Sequence, residues 1–334
     1  MKARLALVVG DPAGIGPELV AKLLGNRGNL DKASVLLVAD RGEVEEGMRV
    51  AGRRFDYSVT DKQPDRLAND GVVLWNFRGE SKTPFERAKA TAHGGAYSLD
   101  TLLKAIELTT CGVTEGVLFA PLNKSSMHQA GLKQEDESQW FADLLKVTGP
   151  HGELNVLDNL WTSRVTSHVA LKDVAGLITR ERVIEGIALA HSTLVNSGKV
   201  APRIAVCGLN PHNGDGGSFG REEIDIIEPA IEEAKRLGYP AVGPFPADTI
   251  FLRAKEFDAI VTMYHDQGQI AMKLLGFSRG VTVHGGLPIP ITTPAHGTAF
   301  DIYGHGEANV GAMQAAFDIC VTMSAARRRG LAAA

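Results

Sequence analysis

No long hydrophobic run occurs in the chain. The N-terminal apolar stretch, residues 5–9, is far too short for a membrane span or for the core of a secretory signal. No long basic run occurs either, and the formal net charge is −4, which argues against nucleic acid as a partner. Cysteine is scarce. Cys111, Cys207 and Cys320 are scattered with no C-x-x-C, which argues against a disulfide framework or a cysteine zinc site. Such cysteine usage suits a reducing compartment, so the expected location is the cytoplasm. There is no G-x-x-x-x-G-K-[ST] and no G-x-G-x-x-G, so the chain has neither a P-loop nor a Rossmann fingerprint. Internal repeats and low-complexity linkers are also missing.

What is there is a chain of 334 residues, long enough for two domains, with 44% hydrophobic residues to fill a sizeable core. Short apolar runs at 5–9, 34–39, 72–75, 116–120, 164–166, 204–208 and 259–262 read as strands. Helical patterns at 16–24, 95–109, 181–194 and 222–237 lie between them. Alternation of this kind predicts an α/β fold with a largely parallel sheet. Ligands in such folds sit in the loops after the strands' carboxyl ends.

The unusual residues collect in those loops. They read "GDPAGIGPE" (10–18), "PLNKSS" (121–126), "SHVALKD" (167–173), "LNPHNGDGG" (209–217) and "MYHDQG" (263–268). The first could hold a phosphate on backbone N–H groups or be a structural turn, with Asp11 and Glu18 available to orient a substrate amine or hydroxyl. Three of the five carry a histidine: His168, His212 and His265. One loop histidine is commonly structural. Three of them after strands suit a divalent metal with open coordination positions. Each has a carboxylate nearby in sequence, Asp173, Asp215 and Asp266, able to orient an imidazole. The spacings match no short local motif, so the residues alone do not establish that the three meet. A further segment, "HGTAFDIYGHGEAN" (296–309), reads by itself as a glycine-rich connection.

These motifs, together with "FPADTIF" (245–251), occur in an order that resembles the 4-hydroxythreonine-4-phosphate dehydrogenase (PdxA) family over nearly the whole chain. The resemblance implies two α/β/α domains around a cleft, in an isocitrate/isopropylmalate dehydrogenase-like fold. Residues 1–130 with 275–334 would form the first domain, and 131–274 the second, with the metal site and dimer interface. It implies a homodimer with a shared active site. It also implies one divalent metal per subunit, held by His168, His212 and His265: zinc, or alternatively magnesium, cobalt or manganese. The 296–309 segment is similar to a loop that cradles the adenosine of NAD, which points to His296, Gly297, Asp301 and Asn309 as contacts for NAD or NADP. Lys273 matches a substrate-contacting lysine, and Asp248 and Asp266 are candidates for proton relay. Asp248 could equally be a helix N-cap. The implied reaction is oxidation of a hydroxy acid to a ketone, with decarboxylation where a carboxylate stands β to it.

The chain also departs from the family pattern. "EDESQW" stands where Gly-His-Thr-Glu is usual, so Glu137 replaces a histidine and Ser138 follows it. Thr282 replaces an asparagine and Ile291 an arginine. A phosphate dianion favours arginine and other charge-assisted donors. The replacements therefore lead to the expectation of a non-phosphorylated hydroxy acid, such as a dihydrodiol carboxylate. 4-Hydroxythreonine 4-phosphate or a four-carbon sugar-acid phosphate is the alternative, with Lys273, Lys124 and Arg279 as remaining anion partners. Two rival classes stand beside the dehydrogenase: a metal-dependent hydrolase or lyase, and a non-catalytic binding protein.

Overall fold

In the computed structural model, which describes residues 1–67, 70–79 and 83–333, the chain forms two compact units. One comprises Met1–Leu145 and Leu287–Ala334, the other Lys146–Gly286.

The first unit holds strands β1 (Ala3–Val8), β2 (Ala33–Ala39), β3 (Ser58–Thr60), β4 (Val72–Asn76), β5 (Gly116–Phe119) and, from the returning chain, β12 (Ile291–Pro294). Their order is β3-β4-β2-β1-β5-β12, and every pairing is parallel. β1, β2 and β5 read as continuous apolar runs because both faces are covered. Ala6, Val8, Leu36 and Val38 pack with Leu102, Ala105 and Ile106 of the helix Ala92–Thr110. The helix Gly311–Ala333 also packs on β1, β5 and β12. Gly116 leaves room for Cys320 and Ser324 of that helix, which a Cβ would meet at 3.0 and 2.4 Å.

Local chemistry sets the helix starts. Thr91 caps Ala92–Thr110, Asn123 caps Lys124–Gln129 and Asp136 caps Glu137–Leu144, each accepting a bond from a first-turn N–H. Pro17 occupies the first turn of Gly16–Leu24, where its missing N–H costs nothing.

The second unit holds β6 (Gly152–Leu157), β7 (Leu160–Arg164), β8 (Ile204–Cys207), β9 (Ala241–Phe245), β10 (Ala259–Thr262) and β11 (Val281–Gly285), in the order β11-β6-β7-β10-β8-β9. β7, β10, β8 and β9 run parallel, whereas β6 pairs antiparallel with both β7 and β11. The strand expected at 164–166 begins four residues earlier. β6 was not anticipated, because Glu153 and Asn155 interrupt its apolar pattern. Both bind Arg164 at the end of β7, which is what allows polar side chains there. The helix expected at 222–237 is a π-helical turn, Glu223–Ile227, followed by the α-helix Glu228–Arg236. Asp248 lies inside the short helix Ala247–Ile250, whose cap position is Pro246, so it is not an N-cap.

Candidate active site

The three histidines follow three neighbouring strands. β10 lies between β7 and β8, all parallel, with Thr262 opposite Arg164 and Val261 opposite Val206. The strands therefore end nearly level, and their loops emerge at one edge. Gln267 ties two of these loops: its Oε1 accepts from Met263 N–H at 2.7 Å, and its Nε2 donates to Gly208 O at 2.8 Å.

His265 opens the helix His265–Gly276. Its Nδ1 lies 2.7 Å from Asp266 Oδ1. In the neutral tautomer with the proton on Nδ1, Nδ1 donates to that oxygen and Nε2 is the ring's acceptor. The His168 and His265 ring centroids are 5.9 Å apart. His212 lies on a run of left-handed backbone: φ is 53° at His212, 55° at Asn213, 76° at Gly214, 45° at Asp215 and 62° at Gly216. His212, Asp248, Asp266, Tyr264 and Gln267 line an open cleft of about 610 Å³, whose apolar wall includes Ile270 and Leu274. Lys273 is exposed, two turns further along the helix that begins at His265, outside this lining. Asp173 and Asp215 are exposed. Among the described residues, no group of three or more His, Cys, Asp or Glu side chains is arranged to hold a metal. The structure thus brings His168 and His265 together and places His212 on a neighbouring loop.

The Glu223 carboxylate underlies the His212 loop. It accepts from Leu209 N–H and Asn210 N–H, both at 2.7 Å, and from Asn210 Nδ2 at 2.9 Å. Burial alone would raise its carboxyl, but the bonds from Asn210, from its own N–H and from Leu209 together outweigh that and hold it below the usual range.

In the first unit, "GDPAGIGPE" supports the 296–309 segment. Ile15 N–H donates to Thr298 O at 3.0 Å. Glu18 Oε1 accepts from Ala308 N–H, and Lys22 Nζ donates to Gly306 O and Ala308 O, each at 2.8 Å. Lys22 also pairs with Glu18 at 2.7 Å. A Cβ on Gly14 would come within 2.6 Å of Thr298 O. Asp11 and Glu18, which by sequence could orient a substrate amine or hydroxyl, are both buried, and Glu18 is engaged by this segment. Asp11 accepts from Ala13 N–H through Oδ1, while Oδ2 has no hydrogen-bond partner among the described residues. Burial pushes its carboxyl up despite the bonds from Ala13 and Ser126. Arg87 joins the same two loops. It donates to Pro12 O at 2.7 Å, pairs with Glu43 and lies 5.7 Å from the Tyr303 ring centroid. Asp301, Gly297 and Asn309 are exposed, His296 is half-buried with Nδ1 3.1 Å from Gly297 O, and Asn309 Oδ1 accepts from Gly311 N–H.

The residues that depart from the family pattern lie in different surroundings. Glu137 is buried at the start of its helix, 4.0 Å from the Lys124 ammonium. Ser138 is buried, and its hydroxyl has no hydrogen-bond partner among the described residues. Thr282 is buried on β11, where Oγ1 accepts from Asn155 Nδ2 at 3.4 Å. Ile291 is wholly buried in the apolar core of the first unit. Arg279 pairs with Asp158 at 3.1 Å. Sequence reasoning missed Gln267, Glu223, Lys22 and Arg87. Gln267 stands inside a motif that was singled out. Glu223 read only as an acidic helix start, and its partners are set by the fold.

The sequence profile of the family described as "Pyridoxal phosphate biosynthetic protein PdxA" matches residues 31–320. A Pseudomonas aeruginosa protein, provisionally named 4-hydroxythreonine-4-phosphate dehydrogenase 2, is 57% identical over 96% of both chains. A Bradyrhizobium diazoefficiens protein, provisionally named D-threonate 4-phosphate dehydrogenase, is 38% identical over 96% of both. The solved 4-hydroxythreonine-4-phosphate dehydrogenase from Klebsiella pneumoniae superposes with a TM-score of 0.84 at 30% identity, covering 97% of this chain and 98% of that one. Its fold is isocitrate/isopropylmalate dehydrogenase-like, as expected from the motifs. The chain belongs to the PdxA family of dehydrogenases, oxidoreductases that act on a CH–OH group.

Proposed function

We propose that the chain oxidises the secondary hydroxyl of a four-carbon hydroxy-acid phosphate to a ketone, using NAD and a divalent metal held by His168, His212 and His265. The observation that carries this reading is the emergence of the three histidine loops from the neighbouring parallel strands β7, β10 and β8. The donor set suits the ion: three neutral imidazoles favour zinc or cobalt over magnesium. The 5.9 Å between the His168 and His265 rings leaves space for a shared ligand, and Asp266 frees His265 Nε2.

A bound metal and NAD supply a Lewis acid and a hydride acceptor. The residues of the chain do the rest. Asp266 orients His265, and Asp248 and Asp266 take the hydroxyl proton towards solvent. Lys273 holds an anionic group of the substrate. His296, Gly297, Asp301 and Asn309 receive the adenosine half of the cofactor, and the Asp301 carboxylate favours NAD, since it accepts from ribose hydroxyls and repels a 2′-phosphate. Where the new ketone stands β to a carboxylate, carbon dioxide leaves. The reading includes a homodimer with a shared site, which Ile270 and Leu274 support. They are 59% and 83% exposed, one turn apart on the helix that forms the apolar wall of the cleft.

Two placements bear on the phosphate. Glu137 was weighed as a carboxylate gained in place of a histidine, and the Lys124 ammonium stands 4.0 Å from it. Ile291, weighed as a lost phosphate donor, is a core side chain. The names of the relatives point to phosphorylated acids. The second reading, a non-phosphorylated hydroxy acid such as a dihydrodiol carboxylate, rests on the missing arginine and histidine. Steady-state NADH formation with D-threonate 4-phosphate, 4-hydroxythreonine 4-phosphate and D-threonate separates them. Hydrogen bonds to a charged group are worth about 1.5–3 kcal/mol, so one phosphorylated acid should exceed D-threonate in kcat/KM by about tenfold or more. Equal or better turnover of a non-phosphorylated acid would favour the second reading.

A further inference from the structure

We infer that Glu223 is a positioning residue for His212: it holds the strained turn that carries the imidazole, without itself touching metal or substrate. This rests on the reading of His212 as a metal ligand. His212, Asn213 and Asp215 are non-glycine residues at φ values of 53°, 55° and 45°. Left-handed backbone is unfavourable for an ordinary L-residue, and runs of it are not self-sustaining. Something outside the turn must determine it. Glu223 is 1% exposed, eleven residues downstream, and accepts three hydrogen bonds from Leu209 and Asn210, the residues just before the turn. A carboxylate suits this place because its three partners are all donors, one of which, Asn210 Nδ2, it shares with Glu222 Oε2 at 2.7 Å. An amide would turn its own N–H₂ towards one of them. Within the turn, Asn213 Nδ2 donates to Pro244 O at 2.8 Å, a second anchor on the residue that follows His212. Glu223 also opens a π-helical turn, an irregularity common at functional sites.

The test is cobalt(II) titration of the metal-free protein, followed by visible absorption, with thermal unfolding measured on the same samples. Glu223→Gln should remain folded, bind cobalt about ten- to hundredfold more weakly, as removal of outer partners of metal ligands does, and show an altered ligand-field spectrum. A merely structural role would lower the unfolding temperature and leave affinity and spectrum as in the parent. That result overturns the inference. Should Glu223→Gln fail to fold, Asn210→Ala decides: it removes the side-chain bond at the other end and should also weaken cobalt binding. Unchanged affinity there overturns the inference too. His212→Ala separates the two levels. If it binds cobalt like the parent, the ligand reading falls and this inference with it. If it loses cobalt while Glu223→Gln does not, only the role of Glu223 falls.

Discussion

Gly214 and Gly216 sit in the same left-handed turn for different reasons. Gly216, at φ 62°, has open space where a Cβ would stand. Gly214, at φ 76°, would put a Cβ within 2.7 Å of Gly220 O and 2.8 Å of Glu223 Oε2. Gly216→Ala should therefore cost only the conformational penalty, about 1 kcal/mol. Gly214→Ala adds overpacking against the clamp and should cost about 1–3 kcal/mol more, with loss of activity. Urea unfolding and NADH formation check both, and equal effects would contradict the role given to Glu223. Asp11 makes a pH prediction. Its carboxyl is raised by burial, so its favourable contribution is complete below the ordinary carboxylate range and is lost as pH rises through the raised value. Asp11→Asn should gain stability relative to the parent as pH rises from acid to neutral. Parallel melting profiles would contradict this. At this scale the candidate ligands were legible, because histidines after strands stand out in any chain. The left-handed turn was not, since glycine content tells that a loop is permissive and not which way it turns.

Among elements, the helix Gly16–Leu24 holds the proposed cofactor segment through Glu18 and Lys22. Lys22→Met leaves the Glu18 carboxylate buried without its cation, which should cost about 3 kcal/mol or more, and loosens Gly306 and Ala308. KM for NAD should rise while kcat for bound substrate changes little. Adding Glu18→Gln should restore most of the stability and leave KM for NAD high, because the cradle stays broken. Calorimetry and initial rates read the two effects separately, and an unchanged KM for NAD in both variants would contradict the cradle. This pairing spans nearly the length of the chain, from residue 22 to residue 306, and no local pattern signals it. The parallel strands β1, β2, β4, β5, β8 and β10 were visible as short apolar runs. β3, β6, β9, β11 and β12 escaped notice. Glu153 and Asn155 break up β6, polar residues break up Val281–Gly285, and Ile291–Pro294 is short and ends in proline. Their polar side chains are tolerated by contacts such as Arg164–Asn155 and Thr292 Oγ1–Ala316 O.

For the molecule as a whole, the motifs from Gly10 to Asn309 were enough to indicate the family, because they carry ordered chemistry and not only composition. The substrate was less legible. Glu137 reads in sequence as an added negative charge, but in the structure it stands beside Lys124, and only the fold supplies that neighbour. Lys124→Met should therefore remove the cation 4.0 Å from Glu137 and raise KM for a phosphorylated acid, whereas Lys124→Met with Glu137→Gln should recover part of the loss; substrate titration of the two variants measures it. The central claim is a dehydrogenase that depends on a metal held by three histidines. Its most direct test is NADH formation from hydroxy-acid phosphates before chelation, after metal removal verified by elemental analysis, and after zinc, cobalt, manganese or magnesium is returned. The account predicts activity that falls to background without metal and returns with it in the parent, but does not return in His168→Ala, His212→Ala or His265→Ala. Full activity in the verified metal-free protein would contradict it.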